Sequence, residues 1–170
     1  MRLLVLTARS PFARGPAEAT AEGLVRALRA AGHGAEAMHL PLAGAAPERM
    51  VEEVLIARGL RATNVDRVIA LRLAAALVPL DGVGGTRVAW LPHAESDPWA
   101  AALRPAPAGA APHGILRAAV AEALAGCHAR FADAAGVEAL RDLGLEAGLL
   151  PAPGEAQGAE WDRVLTGLLG

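Results

Sequence analysis

Four side chains that can do chemistry lie within the segment PHAESDPW (92–99). His93 is the candidate catalytic group, because an imidazole can orient or deprotonate a hydroxyl group near neutral pH. Glu95 and Asp97 follow at alternate positions as candidate ligand contacts, and Trp99 adds an aromatic face on which a ring can stack. The structural alternatives are a solvated His93 and a Trp99 that covers the edge of the core.

Two further polar residues directly follow apolar runs. Arg72 ends the run DRVIALR, and Asp133 follows ARFA. Arg72 could meet an acidic ligand, because a guanidinium pairs with carboxylates in a fixed fork, although a surface arginine is the alternative. Ligands of open α/β sheets bind beyond the carboxyl ends of the strands. If these runs are strands, Arg72 and Asp133 lie at the same edge of the sheet as His93.

The other histidines and the cysteine form no recognisable motif. His33, His39, His113 and His128 show no i, i+4 pairing and no carboxylate at a spacing that suits a metal, so we expect no metal site. Cys127 is the only cysteine, which excludes an internal disulfide and favours a small buried side chain. The sequence contains no GxSxG, GxGxxG or Walker motif, so we expect no nucleotide or dinucleotide cofactor.

The elements that would position these side chains follow from the hydrophobic pattern. Apolar runs bounded by loops alternate with segments of helical periodicity. The predicted strands are 2–8, 34–42, 66–72, 86–92, 129–135 and 146–153, and the predicted helices are 21–31, 47–60, 115–127 and 137–144. This alternation predicts an α/β fold with a single Rossmann-like, doubly wound parallel sheet of about six to seven strands and helices on both faces.

Two stretches interrupt the alternation. Residues 96–114 contain four prolines and are predicted to be an exposed loop beside the carboxyl end of the fourth strand. Residues 151–158 are predicted to be a linker that separates a domain at 1–150 from a final helix at 159–170. The final helix carries an apolar stripe that must dock on the domain, formed by Trp161, Val164, Leu165, Leu168 and Leu169.

Length and composition limit the class of protein. The 170 residues suit one domain, and 54% hydrophobic with 20% charged residues excludes general disorder. A net charge of −2, with scattered arginines and no lysine, argues against a nucleic-acid partner. The sequence shows neither an apolar stretch of about 18 residues nor a secretory leader, so we expect a cytoplasmic protein without an integral membrane segment.

Three segments together carry a resemblance to a known family. The stretches RLLVLTARSPFARGPAEATAEGLVRALRAAGH, DRVIALRLAAAL and RVAWLPHAESDPW resemble the amino-terminal half of family 4 glycosyltransferases, which are retaining enzymes of the GT-B fold. The similarity spans about 1–150 and is weakest in the Pro-rich loop. In that family the amino-terminal domain holds the acceptor, and a second Rossmann-like domain holds the sugar nucleotide. The resemblance therefore implies an acceptor domain, one half of a GT-B fold, with His93 in the acceptor cleft.

The last helix and the first loop refine this resemblance. AEWDRVLTGLL is similar to the final helix of such enzymes, which packs back on the acceptor domain, so the chain resembles a full enzyme with its donor domain deleted. The family loop after the first strand has two adjacent glycines and then Ala-Glu, where this chain has Gly15, Pro16, Ala17 and Glu18. Gly15 remains a candidate substrate contact. Pro16 lacks the N–H that a phosphate would use and Glu18 repels an anion, so a plain helix start is favoured over phosphate binding.

Three classes of function stay open. The first is a glycosyltransferase-like acceptor domain that binds a sugar, a glycan or a glycosylated acceptor, is inactive alone and works with a separate donor-binding subunit. In such a complex it would belong to the retaining hexosyltransferases. The second is a non-catalytic binding or scaffolding module derived from a glycosyltransferase, forming a homodimer or a heteromeric complex. The third is a flavodoxin-like binder of a small molecule.

Overall fold

A computed structural model of the protein describes residues 1–9, 16–41, 64–78, 83–97, 99–105, 111–150 and 158–170. The strands are β1 (Arg2–Arg9), β2 (Gly34–Pro41), β3 (Arg67–Leu71), β4 (Thr86–Leu91), β5 (Ala129–Ala132) and β6 (Gly148–Leu149). The helices are α1 (Pro16–Ala30), α2 (Leu73–Ala76), α3 (Ala111–Ala125), α4 (Ala134–Asp142) and α5 (Gly158–Leu169). The predicted helix at 47–60 and the candidate residue Gly15 lie outside the described residues.

The six strands form one parallel sheet in the order β2-β1-β3-β4-β5-β6. The predicted fold class, a doubly wound Rossmann-like α/β sheet with helices on both faces, is thereby confirmed. The winding direction reverses between β1 and β3, as in flavodoxin-like sheets. The register aligns Thr7 with Leu71 and Leu71 with Trp90, so the carboxyl ends of β1, β3 and β4 lie side by side.

Each face of the sheet carries its own apolar core because side chains alternate along every strand. One core joins the sheet to α2, α3 and α4 through Leu4, Leu6, Leu73, Val120, Leu124 and Leu140. The other joins it to α1 and α5 through Val5, Leu24, Leu28, Ile69, Trp90, Val164 and Leu168. Among the described residues, no helix is long and apolar enough to cross a membrane.

Helix α5 is anchored on its face of the sheet at both ends. At its start, the Trp161 ring meets Trp90 edge to face, with ring centroids 6.4 Å apart. The approach requires Gly23 on α1, since a Cβ there would lie 2.7 Å from a carbon of the Trp161 ring. At its other end, the Arg67 guanidinium donates to the Leu168 carbonyl. A cation at a helix carboxyl terminus also interacts favourably with the helix dipole.

The described part of the Pro-rich stretch 96–114 is only partly exposed, which differs from the prediction of an exposed loop. Its 3-10 turn, Ala100–Leu103, is partly buried, because Ala102 and Leu103 are almost fully covered while Ala101 is exposed. Helix α3 begins at Ala111, before Pro112, earlier than the predicted start at 115. Proline is tolerated in the first turn of a helix because the N–H it lacks has no partner there. The proline count therefore indicated irregular backbone but not exposure.

Candidate functional site

The residues that directly follow β3 and β4 have unusual backbone conformations. Arg72 has φ 72° and ψ 168°, and His93 has φ 55° and ψ 49°. Among the described residues, these are the only two that combine a positive φ with a side chain. The conformation of Arg72 is essentially restricted to glycine, and such strain costs about 1–3 kcal/mol per residue. Strain of this kind persists only where the surrounding structure enforces it.

The side chains of both strained residues are available to a ligand. His93 is exposed and Arg72 is half-buried. Neither side chain makes a hydrogen bond or an ion pair within the described part of the chain, and the same holds for the exposed carboxylate of Glu95. We call Arg72, His93 and Glu95 the polar edge. It combines a cation, an imidazole that can act as a base and an anionic acceptor of hydrogen bonds.

Asp97 enforces the conformation of the first strained residue. Asp97 is 6% exposed, and its carboxylate accepts from the backbone N–H of Leu73 at 3.2 Å and of Trp99 at 2.8 Å. On the other side, the Arg72 N–H donates to the Trp90 carbonyl at 2.9 Å. Arg72 is therefore held by hydrogen bonds both at its own amide and at the next one. The candidate ligand contact Asp97 thus serves as a positioning residue for Arg72.

Asp133 enforces the conformation of His93, the second strained residue. One oxygen accepts from the Ala94 N–H at 3.1 Å, directly after His93, and the other accepts from the Gly136 N–H at 2.9 Å as the N-cap of α4. The His93 carbonyl in turn accepts from the Ser96 N–H at 3.0 Å. In both turns, the aspartate that follows one strand holds the strained turn of the neighbouring strand. Asp133 is a positioning residue for His93.

Removing this carboxylate should loosen the turn at His93. We expect Asp133→Ala to lower the free energy of unfolding by about 2 kcal/mol, because it removes an N-cap and a charge-assisted bond to Ala94. Asp133→Asn should lose roughly half as much, since its amide has one acceptor oxygen in place of two. Urea denaturation of both variants measures the difference. Equal stability of Asp133→Ala and the unmodified protein would contradict the assigned role.

Comparison with models of protein families, with curated proteins and with solved structures finds no significant match for the chain. The resemblance to family 4 glycosyltransferases therefore stays a prediction from sequence.

Trp99 lies beside the polar edge but faces the protein. Its side chain is half-buried and packs against the core that joins the sheet to α2, α3 and α4, and its backbone N–H donates to Asp97. Of the two interpretations that the sequence allowed, coverage of the core edge is the one that these contacts support.

One polar pair, Thr7 on β1 and His39 on β2, was not predicted from the sequence. The Thr7 hydroxyl, 1% exposed, lies 2.5 Å from His39 Nδ1. The pair depends on the register of β1 and β2, which places Thr7 opposite His39 and which no local pattern predicts. It satisfies a buried hydroxyl that would otherwise cost free energy.

Thiol chemistry is not favoured at this fold's only cysteine. Burial raises the pKa of the Cys127 thiol, and the nearby charges of Arg87 and Arg130 offset this only in part. A thiol of raised pKa carries little thiolate at neutral pH and is a poor nucleophile. Within the described residues, no group of three or more His, Cys, Asp or Glu side chains is arranged to hold a metal ion.

Proposed function

We propose that this protein is a glycosyltransferase-like acceptor-binding domain that works with a separate donor-binding subunit. The observation that carries the proposal is the pair of strained residues, Arg72 and His93, which follow adjacent strands with unpartnered side chains. Backbone strain of this kind clusters at ligand-binding and catalytic sites. Arg72 and His93 lie at the carboxyl ends of the strands, and this is where doubly wound sheets bind their ligands.

Each member of the polar edge has a role in holding an acceptor hydroxyl. His93 orients the hydroxyl and accepts its proton during transfer, which suits an imidazole near neutral pH. Glu95 accepts hydrogen bonds from neighbouring hydroxyls, and Arg72 pairs with an acidic group of the acceptor. Asp97 and Asp133 keep the two turns fixed, and such second-layer support gives a site its precision.

The start of α1 supports the need for a second subunit. Helix α1 begins at Pro16 and has Glu18 in its first turn. Proline offers no N–H to a phosphate, and a carboxylate in the first turn repels one. Stabilising the diphosphate that leaves in glycosyl transfer requires donors aimed at it in a site shielded from water. We therefore assign the sugar nucleotide to a partner.

A non-catalytic scaffolding module is the second candidate. It is favoured by the engagement of Asp97 and Asp133 in backbone bonds, which leaves few free polar groups for catalysis. A groove of about 440 Å³ between α1 and α5, lined by Ala27, Trp161 and Leu165, offers a separate surface for association. In that case the polar edge would bind no sugar.

Transfer and binding assays separate the two candidates. The isolated chain should transfer no sugar from a panel of uridine and guanosine diphosphate sugars, yet it should bind simple sugars. His93→Ala should abolish this binding while changing stability by no more than about 0.5 kcal/mol, because the side chain is exposed and alanine keeps the Cβ that strains this backbone conformation. His33→Ala, beyond the carboxyl end of α1, is the matched control and should bind normally.

Two outcomes would overturn the proposal. Transfer by the isolated chain would show that no second subunit is needed. Sugar binding that is equal in the unmodified protein and in His93→Ala, or lacking in both, would remove the polar edge from the function and favour the scaffolding module.

A further inference from the structure

A small cavity lies next to the polar edge, between the two 3-10 turns and α4. Its walls are apolar and short, formed by Ala94, Ala100, Leu103, Ala135 and Ala139. Its volume is about 80 Å³. An apolar cavity of about 150 Å³ holds one benzene molecule, so this one holds a group of roughly three or four heavy atoms. It is too small for a sugar ring and large enough for a substituent on one.

Two opposite charges also line this cavity. Glu95 and Arg104 both border it, and both are exposed. Their side chains are not within ion-pair distance of each other, and neither has a side-chain partner in the described part of the chain. The cavity is thus bordered by an acceptor and a donor of hydrogen bonds that are open to solvent and have no protein partner in the described part of the chain, beside walls of alanine and leucine side chains.

We propose that this cavity holds the acetamido group of a 2-acetamido sugar, an inference that rests on the acceptor-binding function above. The acetamido group has four heavy atoms and three chemical parts that match the site. Its methyl packs against the alanine walls, its N–H donates to the Glu95 carboxylate, and its carbonyl accepts from the Arg104 guanidinium. A hydroxyl at the same ring position would leave the apolar walls without a contact.

Because Glu95 is shared between the polar edge and the cavity, one site can contact both the sugar ring and its acetamido group. Glu95 follows His93 by two residues and belongs both to the polar edge and to the cavity. Ala94, between them, lines the cavity wall and is fixed by its bond to Asp133. A sugar hydroxyl at His93 and an acetamido group in the cavity are therefore presented by one rigid turn.

Titrations with N-acetylglucosamine and with glucose, followed by NMR of the full chain, test this assignment. We expect N-acetylglucosamine to bind at least about tenfold more tightly, the discrimination that one buried methyl-sized group typically provides. Ala135→Val narrows the cavity and should bring the affinity for N-acetylglucosamine down to that for glucose, with glucose binding unchanged. Ala134→Val, at the exposed neighbouring position of α4, is the matched control and should keep the preference.

The outcomes distinguish this inference from the proposed function. Equal affinity for the two sugars in the unmodified protein would overturn the acetamido site and leave the acceptor-binding function standing. A preference that persists in Ala135→Val would show that the acetamido group binds elsewhere. Binding of neither sugar would overturn both proposals.

Discussion

Replacing Arg72 with glycine should raise the free energy of unfolding by about 1–2 kcal/mol and abolish the binding of an acidic sugar such as glucuronate. The gain in stability follows because φ 72° and ψ 168° suit glycine and strain arginine. Glycine also gains conformational freedom in the unfolded chain, which reduces the gain in the free energy of unfolding by about 0.5–1 kcal/mol. Binding is lost because the cation of the polar edge is removed. A variant that is more stable but no longer binds the sugar is the signature of strain retained for function.

Urea denaturation followed by circular dichroism measures the free energy of unfolding, and titration of the same preparation with glucuronate measures binding. Arg163→Gly is the matched control, because Arg163 is exposed in the middle of α5. There glycine should lower stability by about 1 kcal/mol and leave binding intact. His93→Gly should behave like Arg72→Gly with a smaller gain, since the left-handed region is less costly. If Arg72→Gly is as destabilising as Arg163→Gly, the turn stores no strain.

Truncating Trp90 to alanine should lower the free energy of unfolding by about 3–5 kcal/mol. Trp90 is fully buried at the centre of the sheet, in the core that holds α1 and α5. Its ring packs edge to face on Trp161, with an interplanar angle of 76°, and its N–H donates to the Leu150 carbonyl at 3.4 Å. The substitution therefore opens a large cavity, removes an aromatic pair and leaves a buried carbonyl unpaired.

The contribution of the aromatic pair can be isolated with Trp161→Ala and the double variant. We expect a coupling free energy of about 0.5–1.5 kcal/mol between the two rings. Trp99→Ala is the comparison variant. Because Trp99 is only half-buried at the core edge, its truncation should lower the free energy of unfolding by less than Trp90→Ala does. A loss below that of Trp99→Ala would show that α5 does not depend on Trp90 for its docking.

The buried elements were predictable because burial dictates their sequence. Runs such as RLLVLTAR and TRVAWL have continuously apolar centres, LLVL and VAWL, since both faces of a parallel sheet are covered, and the predicted strands agree with β1 and β4 to within one residue. The amphipathic stripe of the last helix likewise corresponds to the buried face of α5. In these segments the local pattern and the tertiary environment point to the same structure.

The candidate site was only partly predictable because its geometry depends on contacts distant in sequence. The residue types and their positions after predicted strands indicated Arg72, His93, Asp97 and Asp133 as candidate site residues. Their roles depend on hydrogen bonds that join Leu73 to Asp97 and Ala94 to Asp133, which lie 24 and 39 residues apart. No local pattern reveals a positive φ at an arginine, since sequence statistics favour glycine there.

The most direct test of the polar edge is a map of amide chemical shifts during titration with glucose and with glucuronate. We predict that the shifts of Leu73, Ala94 and Ser96 change with saturating sugar, with a larger response to glucuronate because of Arg72, and that the Arg72→Gly and His93→Gly double variant shows neither change. Shifts confined to the groove between α1 and α5, or no shifts at the ends of β3 and β4, would contradict the account.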